Sequence, residues 1–132
     1  MASIFSKIIA GEIPCHRIAE NDEFLAFLDI NPLAEGHTLV IPKTEVDYFF
    51  DLDAGMLSRI NLFARDVAQK IETAIPCKRI GVAVIGLEVP HAHMHLIPLQ
   101  NVADINFERP KLSFTAEELA ATAERIKRAD HA

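Results

Sequence analysis

PHAHMHLIPL, at Pro90–Leu99, is the stretch on which the reading of this chain turns. It sets His91, His93 and His95 at every second position, with Ala92, Met94 and Leu96 between and after them. In a β-strand successive side chains point to opposite faces. The three imidazoles therefore share one face, and the three apolar side chains the other. Burial of Met94 and Leu96 fixes the register, because a one-residue slip drives the imidazoles into the core. The expectation is a strand from His91 carrying a row of imidazoles roughly 6.5–7 Å apart at Cα.

Working outward, the β-branched run RIGVAVIG (Arg79–Gly86) predicts a central strand just upstream. HTLVIPK (His37–Lys43) predicts a buried strand limited by Pro42, and NPLAEG (Asn31–Gly36) the loop before it. CHRIAEN and EFLAFLDI predict two short strands about an Asn21-Asp22 turn. Ile4, Phe5, Ile8 and Ile9 have helical spacing, stopped by Gly11 and Pro14. The longest helical pattern runs from Ala54 to Ala74. Its stripe is Met56, Ile60, Phe63, Ala64, Val67 and Ile71, with Asp53 as N-cap. Thr115 and Glu118 form a capping box that opens a last helix through about Lys127. Strand pairs joined by short turns, with helices packed on them, make the class α+β. The expected architecture is an antiparallel sheet of about five strands, one long central helix and a C-terminal helix. With no repeat and no linker, residues 1–132 are expected to form one domain.

Composition narrows the function. Half of the residues are hydrophobic, which rules out disorder. A net charge of −6 argues against binding along a nucleic acid backbone, which calls for a basic footprint. It leaves room for a single nucleotide in a local pocket. Two distant cysteines, Cys15 and Cys77, do not make a disulfide framework and fit a reducing compartment. No run approaches the ~18 apolar residues of a membrane span, and MASIFSKIIAGEIP, with Lys7 inside its apolar stretch, is a poor signal peptide. A cytoplasmic protein without membrane contact is expected.

Three readings of the histidine row remain. It decorates a surface strand; or His91 and His93 chelate zinc, which needs further ligands where only Glu88 is near in sequence; or the imidazoles do chemistry. A neutral imidazole can attack an acyl or phosphoryl centre and form a covalent intermediate. Its neighbours can then donate N–H bonds to the oxygens on which charge accumulates. Phosphorus suits the row, since its non-bridging oxygens spread to both sides of the attacking atom.

HAHMHLI fits the signature of the histidine triad (HIT) family of nucleotide hydrolases and transferases, three histidines alternating with hydrophobic residues. FLAFLDINPLAEGHTLVIPK (Phe24–Lys43) resembles that family's strand–loop–strand over the nucleoside, and IFSKIIAGEIP its usual opening. The resemblance implies a HIT-like fold and a hydrolase acting at the α-phosphate of nucleoside phosphoramidates or related conjugates. His93 would be the nucleophile that forms a nucleotidyl-histidine. His91 and His95 would bond the phosphate or orient the neighbouring ring, and His37 would support the row from the adjacent strand. Asp29 would bond the ribose hydroxyls, although an Asp at a strand end also suits a turn. Phe5, Ile8, Phe27, Ile30 and Leu39 would wall the base. The resemblance further implies a purine nucleotide or nucleotide conjugate as ligand, a homodimer, and no metal or other cofactor. A non-catalytic nucleotide-binding or regulatory domain on the same fold is the alternative.

The departures bear on the leaving group. Ile80 stands where the family often has asparagine, Leu87 where it has glutamine, and Glu88 where the phosphoramidase branch has serine. Leu87 cannot hydrogen-bond a phosphate bridge, which tells against dinucleoside polyphosphates. Glu88, counted by the resemblance among the nucleotide-binding residues, cannot do a serine's job in the same way. Protonated, it can donate to the leaving group; ionised, it favours a cationic one. His95, where the uridylyltransferase branch has glutamine, favours hydrolysis over transfer.

Overall fold

The computed structural model describes residues 2–129; Met1 and residues 130–132 of the expected domain lie outside them. The elements are α1 (Ile4–Ile9), β1 (Arg17–Glu20), β2 (Phe24–Leu28), β3 (Thr38–Pro42), α2 (Ala54–Ala74), β4 (Arg79–Ala83), β5 (Met94–Leu99) and α3 (Ala116–Arg128). Short 3-10 turns at Phe49–Asp51 and Val102–Ile105 flank the middle of the chain. The five strands form one antiparallel sheet in the order β1-β2-β3-β5-β4. The class is α+β.

Alternation along β2 shows how the layers arise. Phe24, Ala26 and Leu28 turn to one face, where they meet Ile60, Ala64, Val67 and Ile71 of α2 and Leu119, Ala123 and Ile126 of α3. Leu25 and Phe27 turn to the other and pack with Leu39, Ile41 and the α1 residues Phe5 and Ile8. Both faces of β2 and β3 are buried, which explains why their sequences are nearly continuous in apolar residues. Each fully buried aliphatic side chain, such as Ile60 or Ile71, contributes about 1.5–3 kcal/mol by leaving water.

Caps set the helix starts. Asp53 accepts from the Met56 amide, and Thr115 and Glu118 close the expected capping box. Gly11, at φ 82°, ends the α1 turn in the left-handed region.

Two expectations need correction. β4 is an edge strand, not a central one, because β5 takes the place between β3 and β4. Its β-branched residues suit a pleated surface but say nothing of position in the sheet, and Val82 and Val84 are left exposed. The histidine strand begins at Met94 rather than His91. Upstream of it the backbone donors go elsewhere: the His91 amide turns back to the Val89 carbonyl at 2.8 Å, and that of Ala92 reaches the Val46 carbonyl at 2.7 Å. Side chains still alternate through this lead-in. Ala92, Met94 and Leu96 enter the helix-side core, while Phe5 on the opposite side packs edge-on against His91 and His93.

Candidate active site

On the α1 face a cavity of about 430 Å³ opens where β2, β3 and the histidine segment meet. Asp29, His93, His95 and Glu88 line it, as do all five residues expected to wall a base: Phe5, Ile8, Phe27, Ile30 and Leu39. Four of those five are also core, and Ile30 stands at the rim, 62% exposed. His91 and His37 do not line the cavity; they sit behind it, almost wholly buried.

Hydrogen bonds, to the backbone for three rings and to His37 for His95, fix where each imidazole carries its proton. The Leu33 amide donates to Nδ1 of His37 at 3.0 Å, so neutral His37 bears its proton on Nε2. That Nε2–H donates to Nδ1 of His95 at 2.9 Å, which puts the His95 proton on Nε2. His93 differs. Its Nδ1–H donates to the His91 carbonyl at 2.7 Å, leaving Nε2 as a bare lone pair. His91 donates from Nε2 to the Pro42 carbonyl at 2.8 Å, and its Nδ1 accepts from the Ser3 hydroxyl at 2.9 Å. The cavity thus carries one basic nitrogen, on His93, beside one N–H donor, on His95. That is the pair a nucleophile and an oxyanion partner require.

The surroundings keep this arrangement neutral. Burial, with the neighbouring His95 and Lys111 adding to it, lowers the His37 pKa to about 3. The same causes, with His93 as the neighbour, lower His95 to about 4. Burial pushes the Asp29 carboxyl up, against the Asn31 amide that favours its charge. One Asp29 oxygen accepts from that amide at 2.8 Å in a turn, and the other lies 3.6 Å from His37 Nε2. Asp29 is therefore both the turn residue and a cavity wall.

Neither possible metal set fits. Both His91 nitrogens are engaged and the residue has no exposed surface, which disposes of zinc on His91 and His93. Among the described residues, Asp29, His37 and His95 bring ligand atoms within 4.8 Å of one another. Yet His37 Nε2 carries the proton that the Leu33 amide assigns to it. A metal there would need that proton removed, or moved to Nδ1 against another N–H. The trio suits a hydrogen-bonded relay.

Sequence reasoning missed the support behind His91. The Ser3 amide and Ser6 hydroxyl donate to Glu45, at 2.7 and 2.6 Å, and these bonds hold the Glu45 carboxyl down at about 2. Ser3 also caps α1, so one hydroxyl joins the helix start to the His91 ring. Phe107 and Lys111, which line the cavity from beyond β5, were missed too. No motif or periodicity marks any of these. Of the three departures, Ile80 packs toward the helix-side core, away from the cavity lining. Leu87 stands on the rim, 87% exposed, and Glu88 is exposed beside it.

Comparison with known proteins places these features in a family. The HIT domain matches residues 10–102. An adenosine 5'-monophosphoramidase of Schizosaccharomyces pombe is 33% identical over 132 residues, covering 96% of each chain. A Hit-like protein from Bartonella henselae, solved with an unknown ligand, superposes with a TM-score of 0.84 at 32% identity, over 96% of this chain and 95% of that one. A zinc-bound histidine triad family protein from Mycobacterium smegmatis superposes at 0.78 and 27% identity, over 98% and 99%. With its triad, its five-stranded sheet and this match across most of its length, the chain belongs to the HIT family.

Proposed function

We propose that this protein hydrolyses nucleoside phosphoramidates, or closely related nucleotide conjugates, at the α-phosphorus through His93. One observation carries the reading. The His91 carbonyl holds the Nδ1 proton of His93, so the lone pair of Nε2 faces the cavity beside the N–H of His95. In the first step a bond forms from Nε2 to phosphorus and the phosphorus–nitrogen bond of the substrate breaks. Its electron pair stays with the departing amine, which takes a proton from water. A water then attacks phosphorus and gives up a proton to solvent; the bond to His93 breaks and the nucleoside monophosphate leaves. His95 donates to a non-bridging oxygen in both steps, and His37 holds its ring. Asp29 accepts from the ribose hydroxyls, and a purine base lies among Phe5, Ile8, Phe27, Ile30 and Leu39. No step calls for a metal.

The homologous phosphoramidase supports this reading. The exposed Leu87, without a hydrogen-bonding group, supports the second one, a nucleotide-binding domain without catalysis. Association fits either: β4 leaves a free edge, with Val82, Val84, Tyr48 and Phe50 exposed, on which a second copy would extend the sheet. Among the described residues no helix is long and apolar enough to cross a membrane, and both cysteines are free thiols, as a cytoplasmic setting favours.

Intact-protein mass spectrometry after brief mixing with adenosine phosphoramidate, without acid, separates the two readings. The hydrolase predicts an added AMP on the wild type, or AMP release, and neither in His93→Ala. Nucleotide binding without adduct or release supports the second reading and overturns the first.

A further inference from the structure

Beyond residue 102, where the match to the family domain ends, the chain makes the short turn Val102–Ile105 and a strap of residues 106–115 before α3. The strap is fastened beside the cavity. The Leu112 amide donates to the Pro32 carbonyl in the β2–β3 connection at 2.8 Å. Arg109 donates to the Ala103 carbonyl at 2.7 Å and to Asp104 at 3.2 Å. Phe107 stands edge-on to His95, with ring centroids 4.7 Å apart. Lys111 comes next. Its ammonium donates to the Phe107 carbonyl and lies 5.9 Å from the centroid of the Phe107 ring. Phe107 and Lys111 both line the cavity.

Carbonyls and a ring hold the cation, but no carboxylate among the described residues neutralises it. Lys43, Arg59 and Arg125 are each committed to a carboxylate, Glu20, Glu23 and Glu35. Among the described residues no carboxylate lies within ion-pair distance of Lys111; Glu88 lines the same cavity without reaching it. Its position still matters at the site, since its charge acts on Asp29, His37 and His95. A leaving group must depart from the side of phosphorus away from His93. With a phosphate oxygen on His95, a leaving group on the side of Phe107, which packs on that ring, comes near Lys111.

We infer that Lys111 selects conjugates whose leaving group carries a negative charge, such as an amine bearing a carboxylate a few bonds from the scissile nitrogen. This rests on the hydrolase reading above and deepens it. It also sets Lys111 against the cationic preference that an ionised Glu88 suggests from the sequence; both residues line the cavity, and the charge of the preferred substrate decides between them.

The test uses two substrates that differ only in charge: AMP joined through nitrogen to glycine, and the same conjugate as its methyl ester. The readout is the ratio of kcat/KM for acid over ester, in which any loss common to both cancels. Lys111→Gln is expected to lower that ratio about two- to fivefold, the range of one exposed charge contact. Lys111→Glu should lower it further and Lys111→Arg should keep it. Added salt should lower the wild-type ratio. An unchanged ratio in Lys111→Gln overturns the proposal. So does an equal loss on both substrates, which would assign Lys111 to the α-phosphate they share. If the wild type turns over neither conjugate, the hydrolase reading fails separately. The ratio of their dissociation constants, by calorimetry on the same variants, then decides for or against Lys111. Binding of neither conjugate sinks both ideas.

Discussion

Lowering the pH from 7.5 to 5 should unfold this protein's site from within, and the size of the effect follows from two rings. Folding makes His37 and His95 harder to protonate, with pKa values of about 3 and about 4 against 6.5 for an unburied imidazole. The unfolded chain therefore takes up protons that the native state refuses. The stability these neutral rings contribute is complete above the unfolded value. It is lost as pH falls below it, until the native rings themselves protonate near 4 and 3. At pH 5, about 1.5 pH units below the unfolded value, each ring costs about 2 kcal/mol and the pair about 4 kcal/mol. That is a large part of a typical domain stability of ~5–15 kcal/mol. Most carboxylates titrate lower, and Asp29, pushed up by burial, acts in the opposite sense. Urea denaturation at a series of pH values from 7.5 to 5 measures the loss directly. In His37→Asn, which removes one ring and keeps a donor toward His95, the loss should fall to about half. A wild-type stability constant within about 1 kcal/mol over this range, or an equal loss in the variant, would refute the reasoning.

Other perturbations reach different parts of the molecule. Ser3→Ala removes both the α1 cap and the donor to His91 Nδ1, and should cost about 1–3 kcal/mol in denaturant unfolding; a change under about 0.3 kcal/mol would mean that Ser6, 3.4 Å from the same nitrogen, takes over fully. Gly36→Ala should destabilise by about 1–3 kcal/mol, because Gly36 has φ +89° and an added Cβ would stand 3.0 Å from Ile75 Cγ1. A melting temperature equal to wild type would contradict that. Asp29→Asn should bring the affinities for AMP and deoxy-AMP closer together in calorimetric titration; a preference for ribose left intact would remove Asp29 from that role. His95→Phe, which keeps a ring against Phe107 and loses the N–H, should cut turnover about 100-fold or more with little change in nucleotide affinity, as loss of one oxyanion donor does.

Alternation put His91, His93 and His95 on one face, and they lie there. It could not divide their work, because period two reports a face and not a partner. The partner that buries His91 is Ser3, 88 positions away, and Glu45 reaches Ser3 across 42 more. Helix starts were legible at Asp53 and Thr115 because a cap is a local event. The place of β4 was not, since RIGVAVIG has the same composition whether one neighbour or two flank it; that depends on where β5 lands. Asp29 was read as either a turn residue or a ribose ligand, and its two oxygens point to different surroundings. The strap was silent altogether. Glu108, Arg109, Pro110 and Lys111 carry no period, and long-range contacts, the Leu112–Pro32 bond and Phe107 on His95, bring them to the cavity.

Three imidazoles here have their protons assigned by the main chain and the fourth, His95, by the ring of His37; three of the four agree. His37, His91 and His95 are all Nε2–H tautomers in the neutral state, while His93 alone is Nδ1–H. Nitrogen-15 chemical shifts distinguish the two forms, so the reactive ring should be the odd signal out in a spectrum of the untouched protein, before any substrate is added. Its distinctness is held by a single carbonyl oxygen, that of His91, which no side-chain substitution removes. Exchanging the atoms around the cavity can change what binds, but the ring that points a lone pair inward is chosen by the path of the backbone.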